Sequence, residues 1–386
     1  MESPGGGLCK WERPFTGGAG DIESGRASAW REAFWGKLLE ERRKEVGYVL
    51  NTEGFGQVLK TLGQAFRLYA PVLKKGEGRF ADDDVVRYDF IGDESELELE
   101  KRSEYAFKEF LLPLSETLFF FTEEQVKEAN IDERPVIIFL RSCDMHAVKR
   151  LDYIYLHNGE SKDSFYRRRR EKVRFALIGC EKSCEDCFCV DMKSNRVEEG
   201  YVFSVDKMDG MYRCDVPDAE IAKIFAAAGG REESVTPCFV QENSVRVTVP
   251  GDVPLSIYQS ELWDEYSVRC VNCGRCTLVC PTCTCYTMQD VFYTDNGKVG
   301  ERRRVGASCM IDGYTTVAGG GQYRRTNGER MRFKVLHKIH DFRKRTGYDM
   351  CVGCGRCDAV CPEYISFSNC INKVADAVRK EAEHDQ

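Results

Sequence analysis

The sequence predicts an α+β fold, in which a mixed α/β domain is followed by a smaller, mainly helical C-terminal domain. Three observations carry that expectation. Helix-like and strand-like segments are interspersed as far as about Pro250, the character of the chain changes from Leu262, and the last part holds two near-identical cysteine runs around a long insert. A chain of 386 residues, 42% of them hydrophobic, has room for two or three domains with real cores.

The elements follow in order. Residues 1–28 are rich in Gly and polar side chains and are expected to form a flexible lead. Helix formers dominate Ala29–Val46, with Trp30, Phe34, Leu38 and Leu39 on one face, and Phe55–Leu73 repeats the helical pattern. Strand-like pieces come next: VVRYDFI from Val85, TLFFF at Thr117–Phe121, VIIFL at Val136–Leu140 and VRFALIG at Val173–Gly179. Tyr201–Val216 alternates around Asp209–Gly210, a hairpin signal. The mixed domain is therefore expected over 29–255 and the C-terminal domain over 256–386, with an insert at 287–350. Inside the insert, Arg330–Arg345 reads as a basic amphipathic helix with Met331, Val335, Ile339 and Phe342 on its apolar face.

Composition narrows the function. The first residues, MESPGGGLCKWERPF, lack the apolar region of a secretory signal, and no apolar run approaches the ~18 residues of a membrane span. A cytoplasmic protein, not a membrane protein, is expected. The net charge of −7 with 31% charged residues gives no support to nucleic-acid binding. The arginine runs Arg167–Arg170 and Arg302–Arg304 are expected to be solvated or docked on a partner's carboxylates. There is no GxGxxG or Walker loop and no nucleophile–base motif, so no catalytic residue is assigned.

The cysteines stand out. Twenty in 386 residues is about 5%, below the level of a disulfide scaffold, and they are clustered. In a reducing compartment clustered thiols read as metal ligands. The runs CVNCGRCTLVCP (Cys270–Pro281) and CVGCGRCDAVCP (Cys351–Pro362) match at nine of twelve positions. Each is C-x2-C-x2-C-x3-C-P, the spacing of bacterial ferredoxins. Three cysteines in seven residues wrap one face of a cubane, and a short helix from the third carries the fourth to the other cluster. The proline after it ends that helix. Gly274 and Gly355 let the backbone approach closely. Crossed ligation is expected, with Cys270, Cys273, Cys276 and Cys361 on one [4Fe–4S] cluster and Cys351, Cys354, Cys357 and Cys280 on the other. The C-terminal domain is thus expected to be a bacterial-type 2[4Fe–4S] ferredoxin-like, mainly helical unit. Paired zinc knuckles, the alternative, do not carry a third cysteine in the same turn. Cys283 and Cys285 read as short buried thiols behind a cluster, spare ligands being the alternative.

A third group, Cys180, Cys184, Cys187 and Cys189, follows one predicted strand, and Cys143 follows another. Loops leaving adjacent strands at one sheet edge bring such residues together. Five thiols near one point argue for a metal site of open identity, a zinc-binding or reactive thiol patch being the alternative. Asp144 and His146 stand beside Cys143 as possible ligands or hydrogen-bond partners.

The segments CVNCGRCTLVCPTCTCYTMQD, GERRRVGASCMIDGYTTVAGGGQYR, RMRFKVLHKIHDF and MCVGCGRCDAVCPEYISFSNCINK closely resemble the iron–sulfur electron-transfer subunit of anaerobic, siroheme-dependent sulfite reductases. The middle segments RSCDMHAVKRLDYIYL and FYRRRREKVRFALIGCEKSCEDCFCVDM extend that resemblance, and they also resemble the β subunits of cytosolic nickel–iron hydrogenases. The resemblance implies a heterotrimer in which an FAD-containing flavoprotein oxidises NADH and this chain, itself non-catalytic, relays the electrons. A third subunit then carries siroheme and reduces sulfite to sulfide. The only C-x5-C pairs lie inside the two ferredoxin runs, so no separate pair of the siroheme-binding kind is found here. The resemblance also implies a third [4Fe–4S] cluster on Cys143, Cys180, Cys187 and Cys189, with Cys184 as the spare.

Overall fold

The two most apolar runs of the sequence lie side by side. Val136–Arg141 and Val173–Ile178 pair in parallel from Val136↔Val173 to Arg141↔Ile178. Both are buried almost throughout, as parallel strands covered on both faces must be. The computed structural model describes residues 46–78 and 82–384. The expected flexible lead and residues 29–45 of the helix expected at Ala29–Val46 lie outside them.

In chain order the strands are β1 (Gly47–Leu50), β2 (Arg67–Lys74), β3 (Val85–Ile91), β4 (Ser115–Phe121), β5 (Val126–Glu128), β6 (Val136–Arg141) and β7 (Val173–Ile178). They continue with β8 (Phe203–Met208), β9 (Met211–Asp215), β10 (Arg231–Glu233), β11 (Tyr286–Phe292) and β12 (Gly300–Gly306). The helices are α1 (Thr52–Ala65), α2 (Lys108–Leu111), α3 (Ser142–Asp152), α4 (Ser164–Arg170), α5 (Ala219–Ala227) and α6 (Asp264–Arg269). Then come α7 (Arg275–Leu278), α8 (Asn327–Leu336), α9 (Phe342–Thr346), α10 (Arg356–Ala359) and α11 (Phe367–His384). A π-helical turn, His337–Asp341, joins α8 to α9 without a break.

The larger sheet runs β10-β1-β9-β8-β7-β6-β2-β3. Its centre, β2-β6-β7-β8, is parallel and its flanks are antiparallel. Strand alternation divides the core. Ile137 and Phe139 face α1 and α5, packing with Phe55, Leu59 and Phe225, while Val136, Ile138 and Leu140 face α3 and α4 with Ala147, Leu151 and Tyr166. The hairpin β8–β9 turns on Asp209 and Gly210, whose φ of 50° and 75° define the left-handed pair that a two-residue turn requires.

Phe55–Leu73 is not one helix. Helix α1 ends at Ala65, Phe66 is extended, and β2 takes over. Pro71 explains the break, because its ring and missing N–H exclude the helix interior. It sits beyond Arg67–Tyr69, the stretch paired to β6. Leu68, Ala70 and Val72 then bury against the same core as α1.

The first half of the insert is a hairpin, β11–β12, that joins β4 and β5 in a second sheet of order β11-β12-β4-β5. Both arginine runs pair with carboxylates of this chain: Arg169, Arg170 and Arg304 are drawn inward, while Arg167, Arg302 and Arg303 stay at the solvated surface as expected. Buried Glu116 on β4 accepts from Arg169 of α4 at 2.7 Å and from Arg304 of β12 at 2.7 Å. Arg170 meets Asp152, Arg168 meets Glu128 and Arg302 meets Asp290. No described helix is long and apolar enough to cross a membrane.

Candidate functional site

The two cysteine runs fold alike. In each, a glycine with positive φ (Gly274, 74°; Gly355, 69°) caps a four-residue helix, α7 or α10, which starts one residue before the third cysteine. The fourth cysteine follows two residues after the helix. A side chain at either glycine is also excluded sterically. A Cβ on Gly274 would stand 2.9 Å from Ile311 Cδ1, and one on Gly355 would stand 2.3 Å from the Asp186 carbonyl oxygen. The close approach these glycines allow is thus to other parts of the chain.

Two cavities lie between the runs. One, of about 490 Å³ including space open to solvent, is lined by Cys270, Cys273, Cys276 and Cys361. The other, of about 340 Å³, is lined by Cys280, Cys351, Cys354 and Cys357. Each therefore gathers three cysteines of one run and the last cysteine of the other. Cys276 borders the second cavity as well, and Cys357 the first. Cys273 is exposed at the rim of the first cavity, whereas Cys351 and Cys354 are buried.

The lining suits a cluster larger than one ion. Met310, Met331, Ile365 and Phe367 wall the first cavity, and Phe188, Val352 and Phe367 wall the second. Four thiols around an apolar hollow form an all-sulfur donor set for soft metals. Among the described residues, no three His, Cys, Asp or Glu side chains converge at the spacing of a single metal ion. Burial pushes the Cys351 thiol up to about 12, so ionisation of this sulfur needs a metal or a cation beside it. The two cavities thus fit [4Fe–4S] cubanes, which when bound supply one-electron transfer.

Cations meet these thiols. Lys338 Nζ donates to Cys280 Sγ at 3.3 Å and to Thr282 Oγ1 at 2.8 Å. Burial disfavours its charged form, but Cys280 and Cys283 outweigh this and hold its pKa above the usual lysine value. Lys108 of α2 donates to the carbonyls of Thr277 and Cys283 at 3.1 and 3.0 Å, tying the α/β part to the first run. Cys283 lies beside Cys280, and Cys285 pairs with buried Cys309.

The third group also assembles. Cys143 opens α3 at the end of β6, and Cys180 follows the adjacent parallel strand β7, so both leave the same sheet edge. Cys143 faces Cys189 and Cys354. Cys180 faces Cys184, and Cys187 faces Cys184 and Cys143. Cys143, Cys189 and Cys354 of the second cavity pack in one buried cluster with Cys180 against it, Cys187 Sγ lies 3.6 Å from the Cys354 carbonyl, and the Cys187 N–H bonds to the Cys184 carbonyl at 3.1 Å. Arg141 Nη1 lies 3.6 Å from Cys180 Sγ, and Arg102 Nη1 lies 3.5 Å from Cys187 Sγ. Asn243 Nδ2 reaches Cys189 Sγ at 3.8 Å. The Asp144 carboxylate binds Arg356 of the second run at 2.7 and 2.8 Å, and His146 bonds to the Arg196 carbonyl at 2.9 Å.

Sequence reasoning missed these cations. Arg102, Arg141, Lys338 and Lys334, which lines both cavities, match no motif, but one signal was present. The apolar stripe Met331, Val335, Ile339, Phe342 continues through positions 334 and 338, so both lysines fall on the buried face.

A protein-family model described as a 4Fe-4S dicluster domain matches residues 269–365, from just before the first run to just past the second. The chain is also similar to the sulfhydrogenase 2 subunit beta of Pyrococcus furiosus, 28% identical over 354 residues that cover 86% of this chain and 98% of that one. No solved structure matches it. The chain thus has a mixed α/β N-terminal region and a C-terminal [4Fe–4S] dicluster domain, and it carries [4Fe–4S] clusters. It is an electron-transfer iron–sulfur chain related to that β subunit. The narrower expectation of a sulfite reductase subunit is not shown, and this relative favours the hydrogenase-type alternative.

Proposed function

We propose that this chain is the electron-relay subunit of a hydrogenase-type complex, passing single electrons between two partner subunits through three [4Fe–4S] clusters. The observation that carries it is the contiguity of the three thiol sites. Cys354 lines the second cavity and packs with Cys143 and Cys189 of the third group, while Cys276 and Cys357 border both cavities. Electrons entering at either end have a continuous route. The ligands assigned are Cys270, Cys273, Cys276 and Cys361 for the first cluster and Cys280, Cys351, Cys354 and Cys357 for the second. Cys143, Cys180, Cys187 and Cys189 hold the third, with Cys184 in reserve. An NADH-oxidising flavoprotein is the partner proposed at one end of the relay.

A second reading rests on the C-terminal segments that resemble the iron–sulfur subunit of sulfite reductases, and it puts a siroheme-carrying partner at the far end. One purification separates them. The complex is isolated anaerobically through this chain and analysed for nickel, siroheme, iron and acid-labile sulfide. Nickel with hydrogen-dependent reduction of the clusters supports the first reading, and siroheme absorption with sulfite reduction supports the second. Zinc without labile sulfide would overturn both in favour of a structural or interaction protein.

A further inference from the structure

The helix of the insert buries two charges that a dicluster unit does not need for ligation. Along α8 and the π turn, Met331, Val335 and Ile339 fill the core around the cavities, and the positions between them are Lys334 and Lys338, each 3% exposed. Burying one ammonium is costly, and two at i and i+4 repel each other. A fold that keeps both requires strong negative charge on this face. Sulfur faces Lys338 directly, because its Nζ donates to Cys280 Sγ at 3.3 Å as well as to Thr282 Oγ1 at 2.8 Å. Lys334 lines both cavities, and the Phe367 ring covers it at 5.5 Å. Asp358, the carboxylate beside Cys357, is taken up by the Phe367 N–H and the Ser366 hydroxyl.

We propose that Lys334 and Lys338 set the reduction potentials of the dicluster, as two fixed positive charges placed between its cavities. This rests on the dicluster reading above. Reduction adds one electron, hence one negative charge, to the sulfur-lined site, and a nearby buried cation favours the reduced form. Lys334, shared by both cavities, raises both potentials. Lys338, bonded to Cys280, acts chiefly on the cavity of Cys280, Cys351, Cys354 and Cys357. The insert thereby turns an ordinary ferredoxin spacing into a unit poised for more easily reduced clusters.

The test uses the full chain reconstituted anaerobically, as wild type, Lys334→Met, Lys338→Met and Lys334→Arg. Iron and sulfide are measured, and midpoints are read by EPR during titration with dithionite and mediators. Lys334→Met is expected to lower the reduced-to-oxidised ratio of both clusters at a fixed potential about tenfold, a shift of ~59 mV for one electron. Lys338→Met should move one cluster more than the other, and Lys334→Arg should keep wild-type midpoints. Fully loaded Met variants with unchanged midpoints would overturn the proposal and leave the lysines as packing alone. Where Lys334→Met fails to load, Lys338→Gln decides the matter, and wild-type midpoints in its loaded form overturn the proposal equally. Wild-type chain without labile sulfide would instead overturn the dicluster reading.

Discussion

Arg356 is the largest fully buried side chain among the described residues, and it belongs to the second cysteine run. Its guanidinium forms a bidentate pair with Asp144, which is itself fully buried, and donates to the Ser103 carbonyl at 3.0 Å. This joint fastens the run to the first turn of α3, one residue from Cys143. Asp144→Ala leaves the guanidinium buried and unpaired, and its expected cost is about 3–5 kcal/mol, measured as a fall in denaturant midpoint. Asp144→Asn keeps one acceptor and should cost less. His337 gives a second residue-scale prediction. Burial, aided by Lys338, lowers its pKa from 6.5 to about 4. The unfolded chain takes up this proton below about pH 6.5 and the folded chain only below about 4. The stability contribution is therefore complete above 6.5 and lost as pH falls toward 4. Between pH 7 and 5 the wild type should lose about 1–2 kcal/mol more than His337→Gln. Equal losses in melts at the two pH values would show that His337 does not act this way.

At the scale of elements, each site depends on where a strand or helix ends. The third thiol group exists because β6 and β7 are adjacent and parallel, so their C-terminal ends deliver Cys143 and Cys180 to one edge. The lysine-bearing helix depends on its start. Thr326 Oγ1 accepts from the Glu329 N–H at 3.1 Å, and the Glu329 carboxylate accepts from the Thr326 N–H at 3.2 Å, a reciprocal capping box. Thr326→Ala is expected to cost about 1 kcal/mol of stability, visible in thermal unfolding, while iron content stays at the wild-type level. Loss of iron in this variant would mean that the helix start also shapes the cavities. The strands were legible because apolar runs of their length have few other uses, and the Asp-Gly hairpin because two positive φ values select those residues. The second half of Phe55–Leu73 was not. Leu68, Val72 and Leu73 suit a helix face as well as a strand, Pro71 being the one local signal of a break, and pairing with β3 and β6 makes Arg67–Lys74 a strand.

At the scale of the molecule, the three thiol sites are not equally separable. Cys273 is exposed at the rim of the first cavity, whereas Cys354 packs in the core that contains Cys143 and Cys189. Cys273→Ser is expected to remove one cluster, about a third of the iron, and to leave the larger sheet folded. Cys354→Ser should disturb the third group as well and lose more iron than Cys273→Ser. Iron and sulfide analysis with far-UV circular dichroism reads both, and equal iron loss would count against the contiguity of the sites. The sequence alone determined the dicluster spacing, because three thiols in seven residues have one chemical use, and its repetition implied two such sites. It also determined the apolar strands that β6 and β7 became. Tertiary structure alone decided what surrounds the sulfurs. Lys334, Lys338, Arg102 and Arg141 come from segments far apart in the chain; the helical stripe marks the two lysines as buried, but nothing local records that a thiol stands beside them. That pairing is decided by burial, where water can no longer screen it.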